Sequence, residues 1–246
     1  MNRWEGKVAI VTGTTSGIGS VIAEQLVDAG LIVVGLARRK DRGEELARAL
    51  EGRKGRYYHL TADVAKEEDV LNAYKWIGEN LGPVHVLVNN AGVLRNTSLC
   101  DGNTTDWKAM LDLNVVGLCM MTREAVRCMK ANNVDGHIVH VNSLAGHMVP
   151  VPTAAHVYTA SKHGVTALTE ALRQELIACG SRIKISSVSP GLVESEIFTQ
   201  GENPAPLEAL ENRPMLKAKD VADVVCYIIS TPPHVQVHDI LLRACY

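Results

Sequence analysis

Short apolar runs rich in Val, Ile and Leu alternate with longer helical patterns along almost the whole of this 246-residue chain. Several runs are nearly continuous in apolar residues, which is typical of parallel strands that are covered on both faces. Seven of the runs predict β-strands: Val8–Thr12, Leu31–Ala37, Tyr57–Thr61, Val84–Asn89, His137–Asn142, Ile183–Ser189 and Ile240–Arg243. The alternation therefore predicts right-handed crossovers and a doubly wound sheet.

Five helical patterns lie between the predicted strands: Ile18–Ala29, Lys66–Asn80, Thr105–Lys130, Val157–Cys179 and Lys219–Ser230. We therefore expect an α/β fold with a seven-stranded parallel sheet and helices on both faces. No repeat or linker divides the chain, so one domain is expected over residues 1–246. A stretch at about 194–215, rich in Pro, Glu and Asn, is interpreted as a substrate loop, with a disordered loop as the alternative.

Charge and cysteine usage argue against several other classes of protein. The 25 basic and 27 acidic residues give a net charge of -2, which provides no basic field for nucleic acid. We see no secretory signal and no apolar run long enough to span a bilayer, so no membrane insertion is expected. The six scattered cysteines are interpreted as reduced thiols of a cytoplasmic protein. His137 and His140 would face opposite sides of a strand, and no metal site is expected.

A glycine-rich turn joins the first predicted strand to the first helix. Its residues are Gly13, Thr14, Thr15, Ser16, Gly17 and Ile18, with a third glycine at position 19. Glycines allow the backbone to turn sharply and to approach a pyrophosphate, while the helix N-terminus presents N–H groups to the anion. Any strand-to-helix turn can use glycine, but the position after the first strand favours a phosphate site.

The second predicted strand ends at Ala37 and is followed by Arg38 and Arg39. Sites that select NAD place a carboxylate near this position to bind the ribose 2′-hydroxyl. A guanidinium instead suits the 2′-phosphate of NADP, through its charge and its bidentate geometry. A solvated basic loop is the alternative. Together with the glycine-rich turn, the two arginines favour NADP(H) as the cofactor.

Further motifs follow one another along the chain. They are Asn89-Asn90-Ala91-Gly92, Asn114 within the long helix, Ser143 after the fifth strand, Tyr158-Thr159-Ala160-Ser161-Lys162, and Pro190-Gly191 after the sixth strand. With the glycine-rich turn, they resemble the short-chain dehydrogenase/reductase family over essentially the whole chain. The resemblance implies a single-domain Rossmann fold and hydride transfer between a nicotinamide and a carbonyl or alcohol carbon.

The resemblance also implies roles for individual residues. The catalytic set would be Asn114, Ser143, Tyr158 and Lys162, of which Ser143 and Tyr158 would also contact the substrate. Tyr158 and Lys162 are four residues apart and share a helix face, so the ammonium and an oxidised nicotinamide would lower the pKa of the tyrosine. The cofactor-binding set would be Gly13, Thr14, Thr15, Ser16, Gly17, Ile18, Arg38, Arg39, Asp63, Val64, Asn90, Gly92, Tyr158, Lys162, Pro190, Val193 and Ser195.

Several of these residues also have a purely structural interpretation. A Tyr-x-x-x-Lys pair is often a surface pair on a helix, Ser143 can form a turn, and Asp63 can cap a helix. A non-catalytic NADP-binding scaffold on the same fold is a further alternative, although it has no need to keep all four catalytic residues. Ser143 is not part of a G-x-S-x-G elbow, which argues against a hydrolase.

The segments predicted to line the pocket are largely apolar: Val93–Asn96, Leu144–Pro152 and the stretch with Ile197 and Phe198. A hydrophobic, uncharged alcohol or carbonyl substrate is therefore expected. Four segments resemble the branch that includes insect farnesol dehydrogenase-like enzymes and vertebrate 17β-hydroxysteroid and 3-ketosteroid reductases: Arg3-Trp4, Asn142–His147, Ala167–Leu176 and Ser230–Gln236. Farnesol oxidation is the first interpretation and carbonyl or ketosteroid reduction the second. The family's packing of long helices implies a homodimer or homotetramer.

Overall fold

The computed structural model describes residues 1–150, 155–198 and 213–245, and within them the chain forms a parallel sheet of seven strands. The strands are β1 (Val8–Thr12), β2 (Ile32–Ala37), β3 (Arg56–Thr61), β4 (Val84–Asn89), β5 (His137–Val141), β6 (Lys184–Pro190) and β7 (Asp239–Leu242). They lie in the order β3-β2-β1-β4-β5-β6-β7. Because the order reverses between β1 and β4, the loops after these strands diverge and leave a crevice at the carboxyl edge of the sheet.

Helices lie on both faces of this sheet. In the described part of the chain they are α1 (Gly17–Asp28), α2 (Lys40–Ala49), α3 (Glu67–Asn80), α4 (Thr104–Leu111), α5 (Leu118–Ala131), α6 (His156–Ala178) and α7 (Ala218–Ser230). No helix among these described residues has the length and apolar character needed to cross a membrane.

Successive strand residues alternate between two apolar layers, as the period of a β-strand requires. Ala9 and Val11 of β1 pack with buried residues of α1 and α7 on one face of the sheet. Val8 and Ile10 of the same strand pack with residues of α3 and α5 on the other face. All four residues are buried. The doubly wound α/β fold predicted from the sequence is therefore confirmed.

Helix α2 is the element that the sequence pattern does not predict. Gly43 is the buried residue of this helix, whose other side chains are mostly polar. A Cβ at Gly43 would overlap the imidazole of His59, so α2 approaches β3 closely through its glycine. The helix therefore packs without the apolar stripe on which recognition of an amphipathic helix depends.

The predicted helix Thr105–Lys130 is interrupted in the structure. α4 and α5 are joined by a π-helical turn at Asp112–Gly117, which no periodicity in the sequence indicates. The other predicted strands and helices agree with the observed ones to within one residue at each end. The sequence therefore predicted the sheet closely and missed two features that flank the candidate site.

Candidate active site

A cavity of about 670 Å³ lies at the carboxyl edge of the sheet. Its walls include Ala37 at the end of β2, Asn90 after β4, Val141 at the end of β5 and Pro190 at the end of β6. It opens where the strand order reverses, which is the position at which doubly wound sheets bind their ligands.

The glycine-rich turn after β1 forms part of this cavity. Gly13 and Gly17 adopt left-handed backbone conformations, with φ angles of 74° and 57°. A Cβ at Gly19 would overlap the carbonyl oxygen of Gly13 and Nδ2 of Asn90, so this close approach requires glycine. The N-cap residue of α1, Ser16, makes no side-chain cap. The first N–H groups of α1 are therefore suited to an anionic ligand.

The turn is held in place by side chains of neighbouring strands. Oγ1 of Thr14 and the hydroxyl of Tyr57 on β3 are 2.8 Å apart, and a Cβ at Gly35 would overlap both groups. Burial raises the pKa of Tyr57 to about 12, so its hydroxyl stays protonated. The side chain of Thr14 is fully buried and does not line the cavity, and its predicted cofactor role stays a prediction.

Arg39 lies between the turn and α2. Its Nε donates to Oγ1 of Thr15 over 3.1 Å, and its Nη2 donates to Oγ of Ser16 over 2.8 Å. Its Nη1 donates to the carboxylate of Glu196 over 3.0 Å. Arg38 is exposed and also lines the cavity. Two guanidinium groups therefore border the turn, which gives this end of the cavity the charge to hold a phosphate.

Asp63 and Val64 follow β3 and line the cavity as well. The carboxylate of Asp63 accepts a hydrogen bond from the N–H of Ala65 over 3.1 Å, and the N–H of Asp63 donates to Asp69 over 2.8 Å. Asp63 thus stabilises the turn before α3, whose N-cap residue is Lys66, and it also forms part of the cavity wall.

Tyr158 in the first turn of α6 and Ser143 just after β5 both line the cavity. Burial raises the pKa of Tyr158 to about 12, and the nearby hydroxyl of Ser143 opposes part of this rise. Oγ of Ser143 also accepts a hydrogen bond from the N–H of Ala145 over 3.1 Å, which fixes its position. The two hydroxyl groups can therefore bind one substrate oxygen between them.

Lys162 lies one helical turn after Tyr158, on the same face of α6. Its Nζ donates to the carbonyl oxygen of Val141 over 2.9 Å and lies 5.8 Å from the centre of the Tyr158 ring. Burial lowers the pKa of Lys162 to about 8. The lysine lies near the phenol as predicted. Burial of the phenol raises the pKa of Tyr158. The predicted lowering, which relies on an oxidised nicotinamide as well as on the ammonium, stays a prediction.

Asn114 is buried in the π-helical turn between α4 and α5. Its Oδ1 accepts from the N–H of Val93 over 2.8 Å, and its Nδ2 donates to the carbonyl oxygen of Val93 and to Oγ of Ser161. The side chain therefore joins the loop after β4 to α6 without lining the cavity. Its predicted part in proton transfer stays a prediction. π-Helical turns are frequent at functional sites.

The cavity brings together almost all of the residues predicted for the site. The exceptions are Thr14 and Asn114. Lining residues from the predicted sets are Gly13, Thr15, Ser16, Gly17, Ile18, Arg38, Arg39, Asp63, Val64, Asn90, Gly92, Ser143, Tyr158, Lys162, Pro190, Val193 and Ser195. Residues 151–152 of the predicted pocket and 199–212 of the predicted substrate loop lie outside the described residues.

Two further arginines of the site were not predicted. Arg213 and Arg243 both line the cavity, and Nη2 of Arg243 lies 3.0 Å from Sδ of Met148. Arg42 of α2 is also missed; it forms an ion pair with Glu196 over 2.8 Å. These arginines follow no motif. The partners of Arg243 and Arg42 are distant in the sequence, so residue spacing does not predict them.

A Ser-His-Asp group near the cavity lacks the geometry of a hydrolase. Nε2 of His147 is 2.9 Å from Oγ of Ser189 and 3.0 Å from Oδ2 of Asp239. A hydrolytic triad uses one ring nitrogen for the serine and the other for the acid, so a single nitrogen cannot relay the proton. Ser189 is also fully buried. The group instead ties the loop after β5 to β6 and β7.

The short chain dehydrogenase family matches residues 7–205, and the chain belongs to this short-chain dehydrogenase/reductase family of oxidoreductases. It is 46% identical over 246 residues to the farnesol dehydrogenase of Aedes aegypti, across 99% of this chain and 98% of that protein. It is 43% identical over 249 residues to dehydrogenase/reductase SDR family member 11 of Mus musculus, across 99% of this chain and 96% of that protein. These similarities confirm the family and the branch that the motifs indicated.

Solved structures of similar fold contain either form of the nicotinamide coenzyme. The closed form of a serine dehydrogenase complexed with NADP+ is 28% identical, with a TM-score of 0.85 over 96% of this chain and 94% of that one. A short-chain dehydrogenase/reductase from Burkholderia phymatum in complex with NAD is also 28% identical, with a TM-score of 0.87 over 98% and 90%. The fold alone therefore does not fix the choice of coenzyme.

Proposed function

We propose that this chain catalyses NADP(H)-dependent hydride transfer between the nicotinamide and a hydrophobic alcohol or carbonyl compound, with an isoprenoid alcohol such as farnesol as the substrate. The observation that carries the proposal is that Tyr158 and Ser143 line the same cavity, with the amine of Lys162 beside the phenol ring. These side chains provide the acid–base chemistry that the reaction class of the family requires.

The glycine-rich turn fits a dinucleotide. A Cβ at Gly19 would overlap the backbone of Gly13, so only glycine allows this tight turn. The start of α1, which has no side-chain cap, lies in the same turn. A pyrophosphate would bind there, with Asp63 and Val64 at the adenine and Val193 and Ser195 near the nicotinamide. When bound, the nicotinamide supplies or accepts the hydride.

Tyr158 is the acid–base residue in this proposal. In oxidation its ionised oxygen takes the hydroxyl proton of the alcohol, and in reduction its neutral hydroxyl protonates the carbonyl oxygen. Ser143 donates a hydrogen bond to the same substrate oxygen and stabilises negative charge on it. Lys162 carries the positive charge that favours the phenolate; with a pKa of about 8 it is mostly protonated at neutral pH.

The preference for NADP(H) over NAD(H) rests on Arg38 and Arg39. Both line the cavity directly after β2, where a site selective for NAD would carry a carboxylate. The hydrogen bonds from Arg39 to Thr15 and Ser16 hold its guanidinium against the glycine-rich turn. A 2′-phosphate at this place would contact the positive charge and the several N–H donors of the two guanidinium groups.

The proposed substrate follows from the apolar part of the cavity. The apolar side chains that line it include Val93, Leu94, Leu144, Met148, Ile197 and Phe198. This lining favours an isoprenoid chain, and the similarity to a farnesol dehydrogenase supports the same choice. A ketosteroid or other apolar ketone suits the same surface, so ketone reduction is the alternative. Arg213 and Arg243 also border the cavity, so a substrate panel has to include an anionic alcohol.

Assembly into a homodimer or homotetramer is part of the proposal. Leu111 at the end of α4, Val116 in the π-helical turn and Ile177 in α6 are exposed apolar residues on adjoining helices. Burying such side chains between copies of the chain would be favourable. Analytical ultracentrifugation at micromolar concentration measures the assembly, and a monomer would contradict it.

The decisive experiment follows nicotinamide absorbance with NADP+ or NAD+ and a panel of farnesol, retinol, hydroxysteroids and an anionic alcohol. We expect NADP+ reduction, fastest with farnesol. Tyr158→Phe should lower turnover by about 10²- to 10⁴-fold and leave NADPH binding intact, whereas Tyr227→Phe at an exposed position of α7 should change neither. Unchanged turnover in Tyr158→Phe would refute the mechanism, and turnover with NAD+ alone would refute the role of the arginines.

A further inference from the structure

Glu196 joins two distant parts of the chain at the rim of the cavity. It begins a short 3-10 turn, Glu196–Phe198, after β6. Its carboxylate accepts hydrogen bonds from Nη1 of Arg39 over 3.0 Å and from Nη1 of Arg42 over 2.8 Å. Arg39 is the N-cap residue of α2 and Arg42 lies in its first turn. One carboxylate therefore links the start of α2 to the segment that carries Ile197 and Phe198.

The charges at this link are unbalanced. Arg39 and Arg42 have no other acidic partner among the described residues, so two guanidinium groups share one carboxylate. Arg38 lines the same cavity and adds a further positive charge. The two arginines hold the pKa of Glu196 below its ordinary value, so the carboxylate is ionised at neutral pH. A net positive charge remains, and it favours an additional or stronger anion at this place.

Building on the proposed NADP(H) dependence, we propose that Glu196 competes with the 2′-phosphate of the coenzyme for Arg39 and Arg42. The residue is then a determinant of coenzyme specificity that acts through the arginines. Binding of the phosphate would free the carboxylate and release the turn Glu196–Phe198 from α2. Because Ile197 and Phe198 line the cavity, this release would connect the adenosine end of the coenzyme to the substrate side.

The competition favours the phosphate but weakens its binding. A 2′-phosphate carries close to two negative charges at neutral pH and three acceptor oxygens, against one charge and two oxygens for Glu196. The ion pairs that it has to replace are only partly buried: the side chains of Arg39, Arg42 and Glu196 are 37%, 46% and 41% exposed. Pairs of this exposure are weak, so removing Glu196 should tighten phosphate binding by about three- to tenfold.

The experiment measures binding of two small probes by isothermal titration calorimetry: 2′,5′-ADP, which carries the 2′-phosphate, and 5′-ADP, which lacks it. Glu196→Gln should bind 2′,5′-ADP about three- to tenfold more tightly than the wild type and 5′-ADP equally well. Glu194→Gln, two residues earlier and also exposed, is the matched control and should change neither affinity. An equal or weaker affinity of Glu196→Gln for 2′,5′-ADP would overturn the proposal.

The two probes also separate this inference from the proposed coenzyme preference. If the wild type prefers 2′,5′-ADP and Glu196→Gln gains nothing, competition by Glu196 is refuted and the preference for NADP(H) stands. If the wild type shows no preference and Glu196→Gln acquires one, the competition stands and the proposed preference fails. If neither protein prefers 2′,5′-ADP, both ideas are wrong.

Hydrogen exchange tests the release of the turn directly. In the wild type, 2′,5′-ADP should speed amide exchange in a peptide covering Val193–Phe198, and 5′-ADP should not. In Glu196→Gln the same peptide should exchange fast from the start. Equal exchange in both proteins, with and without 2′,5′-ADP, would show that Glu196 does not hold this turn against α2.

Discussion

Acidification should destabilise this fold through two histidines of β5. His137 and His140 are buried, and each lies within hydrogen-bond distance of neutral hydroxyl groups: Ser186 for His137, and Thr122 and Thr169 for His140. Burial lowers the pKa of each imidazole from 6.5 to about 3, and nearby Lys184 and Lys162 act in the same direction. Both histidines therefore stay neutral in the folded protein well below the pH at which they charge in the unfolded chain.

The size of the effect follows from this difference in pKa. Between about pH 6.5 and pH 3 each imidazole is protonated in the unfolded chain and neutral in the folded protein. The free energy of unfolding therefore falls by roughly 1.4 kcal/mol per histidine for each pH unit of acidification. The stabilisation is complete above pH 6.5 and is lost as the pH falls. From pH 7 to pH 5 the loss is about 2 kcal/mol for each histidine, or about 4 kcal/mol for both. This is a large part of an ordinary folding free energy of about 5–15 kcal/mol.

Urea unfolding at pH 7 and at pH 5 measures this loss. The double variant His137→Gln/His140→Gln should be less stable than the wild type at pH 7 but should lose about 4 kcal/mol less on acidification. His234→Gln, at an exposed position, is the control and should keep the wild-type dependence. Burial also lowers the pKa of His59 and His85, so some pH dependence will remain in the double variant. If the double variant and the wild type lose the same free energy, the reasoning from burial is wrong.

Two further predictions concern the site and its surroundings. Gly19→Ala should weaken 5′-ADP binding at least about tenfold, measured by calorimetry, because the new Cβ overlaps backbone of the turn. Gly78→Ala, in open space on α3, is the comparison and should raise the free energy of unfolding by about 0.5–1 kcal/mol. Ser143→Ala should lower kcat by about 10²- to 10³-fold in the absorbance assay, and a change confined to KM would contradict its role at the substrate oxygen.

The sheet was predictable because its strands are encoded locally. β1 and β2, for example, are short apolar runs that are almost wholly buried, and α1 between them carries apolar residues at helical spacing. Helix α2 was not predictable in this way, since it packs through Gly43 rather than through an apolar stripe. The π-helical turn at Asp112–Gly117 carries Asn114, whose hydrogen bonds to Val93 and Ser161 join three separate elements, and such contacts are not encoded locally.

The site was predictable as far as its motifs reach. Glycine spacing and the Tyr158–Lys162 spacing identified residues that the fold does bring to one cavity. The local sequence does not reveal burial, however, and burial decides that the pKa of Tyr158 lies above its ordinary value. The contact of Glu196 with Arg39 spans 157 residues, and no spacing rule predicts such a pair.

The hydrogen bond between Thr14 and Tyr57 has a consequence for attempts to change the proposed coenzyme preference. It anchors the glycine-rich turn through a residue of β3 that does not line the cavity. Arg39, by contrast, contacts the turn only through the side chains of Thr15 and Ser16. Under the proposed function, the position of the coenzyme and the preference for one coenzyme would thus depend on separate residues. Laboratory evolution would then be expected to vary the preference while the position stays unchanged.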